Sequence, residues 1–115
     1  MKPDERRRHV RIRPVAELPA RLVRLDRTPE ETLEVFDVSM HGIGIVTSGS
    51  IRDAARDEAV RARLDLGRYG VHEVLARVRH VGTNLTGSEL EDPAPALTSA
   101  LGRYIAELLE RGALS

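Results

Sequence analysis

The chain has no cysteine and no tryptophan, and only one phenylalanine and two tyrosines in 115 residues. Without cysteine, disulfide frameworks, thiolate metal sites and cysteine nucleophiles are excluded. The scarcity of aromatic side chains counts against a single-strand nucleic-acid binder, which needs rings on which bases stack. Long apolar runs are missing too: no stretch reaches the roughly 20 residues of a membrane-spanning helix, and the charged start Met1 to Val10 is unlike a signal peptide. These absences lead us to expect a soluble cytoplasmic protein with no membrane insertion. The length suits one domain rather than two.

Net charge is zero, but it is unevenly spread. Residues 1–28 carry nine Lys/Arg against four Asp/Glu, and the remainder carries nine against fourteen. All but one of the basic residues are arginine, whose planar fork suits bidentate contact with phosphate.

Along the chain, residues 1–19 hold three prolines and a dense charge run without an apolar period, which predicts an extended, flexible basic arm. From Ala20 the apolar residues alternate. Leu22 to Leu25 and Thr32 to Val38 read as two strands around a turn, and Gly42 to Thr47 as a third, joined by a tight corner at Ser39-Met40-His41. Val60 to Leu66 is the clearest alternation, with Val71 to Val81 as its hairpin partner and a weaker strand over Asn84 to Leu90. Ile51 to Glu58 reads as irregular. After Asp92-Pro93 the period changes: Leu97, Ala100, Leu101, Tyr104, Ile105, Leu108 and Leu109 form one stripe of a helix. We expect that helix over 93–112, with Asp92 as its N-cap and Gly112 just past its end. The fold class is all-β with one C-terminal helix. Short antiparallel strands over 20–92 are expected to close into a small barrel, because open edges invite aggregation.

Two elements carry chemical information. Arg7 and Arg11 in the arm are spaced four apart, but a pair so spaced arises by chance roughly twice at this arginine content, and Arg52 with Arg56 repeats it. Asp37-x-Ser39-x-x-Gly42 is rarer, with a chance expectation of about 0.03. Asp37 and Ser39, two apart on a strand, share a face, and glycine permits close backbone approach. A carboxylate there can accept from a guanine's N1–H and amine, while arginines take a phosphate or lie against a base. The competing reading of Asp37, Ser39 and Gly42 is a turn held by its own side chains. The two readings are compatible.

The same residues exclude catalysis by a triad. Asp37, Ser39 and His41 lie too close along one segment to converge on one proton relay. His72 and His80, eight apart, stand roughly 26 Å from each other on an extended strand and cannot share a metal. Phe36 and Tyr104 read as packing residues.

The order of Arg7 and Arg11, preceded by Arg6, and then Asp37, Ser39 and Gly42, resembles the PilZ family of bacterial receptors for the second messenger cyclic di-GMP. The resemblance spans about residues 5–110 and implies a six-stranded antiparallel β-barrel with a C-terminal helix. It implies ligand contacts by Arg7, Arg11, Asp37, Ser39 and Gly42, with Arg6 and Arg8 as secondary candidates. It further implies a non-enzymatic receptor with no cofactor or metal, which passes its signal to a separate, unidentified partner protein; a homodimer is left open. DNA or RNA is not an expected partner. A PilZ-like interaction module that does not bind the nucleotide is the alternative, and a small-barrel nucleic-acid binder ranks below it. The last strand departs from the family pattern: where a phenylalanine often follows the glycine two or three residues later, this chain has Gly87-Ser88-Glu89-Leu90.

Overall fold

A computed structural model describes residues 10–112. Six strands, β1 (Arg21–Arg24), β2 (Glu31–Val38), β3 (Gly42–Val46), β4 (Ala59–Asp65), β5 (Val71–Val81) and β6 (Leu85–Leu90), precede one helix, α1 (Pro95–Glu110). Every pairing is antiparallel, and the order β1-β2-β3-β6-β5-β4 closes when β4 pairs back onto β1. Closure removes the unpaired edges that the alternating sequence would otherwise expose. The six-stranded barrel with a C-terminal helix is therefore the observed fold.

The period of two sets the core. Val60, Ala62 and Leu64 on β4 turn inward, and Leu22, Leu33, Val38, Ile43, Ile45 and Val74 join them from other strands. The helix stripe expected from Leu97 to Leu108 is buried against this cluster, while Leu109 remains exposed. Tyr104 is fully buried, and its hydroxyl donates to the Leu18 carbonyl at 2.8 Å, tying α1 to the N-terminal segment. Leu90, three residues after Gly87 and so at a place where the family often has phenylalanine, is buried. Ser88 is buried too and donates to the Ile43 carbonyl at 2.8 Å, so β6 keeps its pairing with β3.

Three expectations are corrected. The helix starts at Pro95 with Ala94 as N-cap, and Asp92 instead has a left-handed backbone with φ of 45°. The physical reason is the second proline: the residue before a proline avoids helical geometry, so Pro95 takes the first helical position. Gly112 does sit past the end, with φ of 73°. Residues 51–58 are not wholly irregular, because a short 3₁₀ turn over Gly49–Asp53 buries Ile51 completely. Finally, the second half of the arm is fastened. Ile12 and Val38 exchange backbone hydrogen bonds at 2.9 Å each way, and Ile12 and Leu18 are buried. Two isolated apolar residues in a charged stretch suffice, since burial of one such side chain is worth about 1.5–3 kcal/mol.

Candidate functional site

The Ile12–Val38 pairing decides where the arm's chemistry lies. It sets Arg11 beside the end of β2, where its Nη1 donates to Asp37 Oδ1 at 3.1 Å. The arginine is 46% exposed and the carboxylate only 11%, so the pair presents a guanidinium to solvent over a largely covered anion. Arg13 adds a second clasp, lying 4.2 Å over the Phe36 ring.

Asp37 owes its position to a missing side chain. It is opposite Gly44 on β3, and a Cβ at Gly44 would fall 2.2 Å from Asp37 Oδ1. The carboxylate thus lies across the glycine. A register shift between Val35 and Asp37 locally bulges β2 and aims the side chain. Sequence reasoning missed Gly44; its signal is the Gly-Ile-Gly spacing at the start of β3.

At the corner the structure shows the turn that the serine was expected to hold. Ser39 is buried, and its Oγ accepts from the backbone N–H groups of His41 at 3.2 Å and Gly42 at 3.0 Å. Gly42 has a packing duty: a Cβ there would meet the Ser88 carbonyl oxygen at 2.2 Å, so only glycine lets β3 and β6 approach.

A cleft of about 560 Å³ opens over this corner, and Arg11, Ser39 and Gly42 line it together with His41, Arg79, His80, Gly87, Ser88 and Glu89. Asp37 reaches it through Arg11. One cross-strand row underlies the site: Asp37 opposite Gly44, Gly44 opposite Gly87, and Gly87 opposite His80. The two central positions lack side chains, and a Cβ at Gly87 would meet nothing within 4 Å. The result is open backbone at Gly87, which lines the cleft, while the Asp37 carboxylate covers Gly44. Arg7, Arg6 and Arg8 lie outside the described residues. Of the expected site residues, Arg11, Asp37, Ser39 and Gly42 come together; the β5 and β6 wall, with Arg79, His80 and Glu89, was not foreseen.

Comparison with known proteins bears on the family and the fold. The PilZ domain model matches residues 5–107. No curated protein matches the sequence. Among solved structures, the PilZ domain of YcgR from Escherichia coli, determined with c-di-GMP, superposes with a TM-score of 0.72 at 17% identity, covering 93% of this chain and 94% of that one. The K. pneumonia MrkH complex with c-di-GMP gives 0.73 at 13% identity, covering 89% of this chain and 52% of MrkH. The Bacillus subtilis inhibitor of motility MotI/DgrA gives 0.66 at 20% identity, covering 97% of this chain and 56% of that one. The chain spans about half the length of the MrkH chains it matches. At these identities the likeness is one of fold, and the sequence model adds the family: the chain belongs to the PilZ domain family.

Proposed function

We propose that the cleft binds cyclic di-GMP and that the protein is a receptor that relays the level of this messenger to a separate protein. The observation that carries this reading is the Arg11–Asp37 pair at the cleft mouth, 3.1 Å long and beside the Ser39 corner. The pair stores both halves of the recognition chemistry. Arg11 supplies a fork for a phosphate, and Asp37 supplies an acceptor for a guanine edge. In the free protein each satisfies the other.

Ligand binding then exchanges one ion pair for two charge-assisted contacts. The arginine side of the pair is open to solvent and so can be exchanged, and hydrogen bonds to charged groups contribute about 1.5–3 kcal/mol each, so two of them favour the exchange. Ser39 holds the corner that aims Asp37, Gly42 keeps β3 close to β6, Gly44 leaves room for the Asp37 carboxylate, and the open backbone at Gly87 lets a flat base approach. Arg7, with Arg6 and Arg8 as helpers, adds positive charge from the segment preceding Arg11. The c-di-GMP in the YcgR and MrkH structures supports the choice of ligand.

Calorimetric titration tests it. Cyclic di-GMP should give saturable heat that GTP at equal concentration does not. Absence of such heat, or heat reproduced by a short oligonucleotide and abolished by moderate salt, overturns the reading.

A further inference from the structure

Arg79 belongs to neither motif, yet it stands in the cleft wall. It is the residue left over where the β5–β6 register slips between Val78 and His80, and such a bulge re-aims a side chain. Two carboxylates hold it. Its Nη1 donates to Asp57 Oδ1 at 2.7 Å and its Nε to Glu89 Oε2 at 3.2 Å.

Asp57 is itself fixed from both sides. Its N–H donates to the Val78 carbonyl at 2.7 Å, its own carbonyl accepts from Arg77 Nη1 at 2.6 Å, and its φ of 70° is left-handed. Aspartate is among the few side chains that adopt this conformation, and the two hydrogen bonds hold Asp57 in it. The backbone therefore presents the Asp57 carboxylate to Arg79. Both ion pairs are nonetheless solvent-exposed, with Arg79 47%, Asp57 61% and Glu89 56% accessible, and exposed pairs are weak enough to be exchanged. A guanidinium has five N–H donors, so Arg79 keeps donors beyond the two bonds it makes to Asp57 and Glu89.

The charge pattern of the cleft gives these facts a direction. Glu89 is an anion in the wall of a site proposed to take a doubly anionic ligand, and its one ion-pair partner among the described residues is Arg79. Arg11 approaches from the β2 side, while Arg79 approaches from β5, across β3 and β6. We infer that Arg79 is a further ligand-binding residue, which takes a phosphate from the β5 side while Asp57 and Glu89 hold its guanidinium in place until the anion competes for it. This inference rests on the proposed binding of cyclic di-GMP in the same cleft.

The test is titration of the full chain with cyclic di-GMP in four forms: wild type, Arg79→Ala, Arg79→Ala with Glu89→Gln, and Asp57→Ala. Circular-dichroism melts confirm that each is folded. Arg79→Ala should weaken binding about tenfold or more, the worth of one charge-assisted contact. The double variant should stay weak, because removing Glu89 does not restore the lost contact. Asp57→Ala should bind as wild type or about two- to fivefold more tightly, because a competitor for the guanidinium is gone. Wild-type affinity in Arg79→Ala overturns the inference. So does full recovery in the double variant, which would make Arg79 only a mask for Glu89, or a loss in Asp57→Ala as large as in Arg79→Ala. A wild-type protein that does not bind the ligand would instead sink the parent reading, and this inference with it.

Discussion

Arg11 and Asp37, 26 residues apart, meet at 3.1 Å because Ile12 and Val38, their immediate neighbours in the chain, exchange backbone hydrogen bonds. An apolar anchor thus delivers a charged residue to the site. Positioning and chemistry are divided between adjacent residues, so they can be perturbed separately.

Arg11→Ala should weaken cyclic di-GMP binding about 10- to 100-fold, the equivalent of one charge-assisted contact of about 1.5–3 kcal/mol. Arg11 is 46% exposed, so its removal opens the covered Asp37 carboxylate to water, and the melting temperature without ligand should hardly move. Calorimetry beside a thermal melt reads both quantities. A large fall in melting temperature would show Arg11 to be structural.

Gly42 and Gly44 should fail in different ways when each is replaced by alanine. The Gly42→Ala methyl meets the Ser88 backbone carbonyl, which cannot yield without parting β3 from β6, so stability should drop. The Gly44→Ala methyl meets the end of the Asp37 side chain, which can rotate away. That variant should melt near wild type yet bind ligand at least about tenfold more weakly. Equal losses of stability would contradict the assignment.

Tyr104→Phe removes the buried hydroxyl that donates to the Leu18 carbonyl. The expected loss is about 1 kcal/mol, or about 4–8 °C in melting temperature. Burial also pushes the Tyr104 hydroxyl pKa up, so wild type and Tyr104→Phe should show the same tyrosinate absorbance at pH 10.

Acid stability should depend on Glu107. Hydrogen bonds from the Tyr69 hydroxyl, Arg68 and Arg111 hold its carboxyl down at about 2, against an ordinary value of 4.5. A depressed carboxyl contributes stability that is present above the unfolded value and is lost as pH falls through the folded one. Melting temperature should therefore decline between pH 4.5 and 2, and Glu107→Gln should flatten that decline. An unchanged slope in the variant would show that the acid limb belongs to other groups.

Much of the fold was legible because its signals are periodic. Val60, Ala62 and Leu64 alternate, and Leu97 to Leu108 repeat at helical spacing, so one face of each is apolar. The corner motif was legible because Asp37, Ser39 and Gly42 are local. Single residues carry no period, which is why Ile12, Leu18 and Ile51 were not recognised as anchors although all three are buried. Arg24 shows the same limit in reverse. Its place in β1 puts it in phase with Leu22, and it is buried only because Asp26, Ser50 and Glu58 all accept from it. The Arg79 wall was hidden for a related reason: it needs a bulge and a left-handed Asp57, which appear only once β4, β5 and β6 are paired.

The most direct test follows backbone amide shifts of isotopically labelled protein by NMR as cyclic di-GMP is added. The largest changes should fall on Arg11, Ser39, Gly42, Gly44 and Gly87, saturate together, and vanish in Asp37→Ala. Shifts that stay flat, or that gather on α1 away from the corner, would contradict the account.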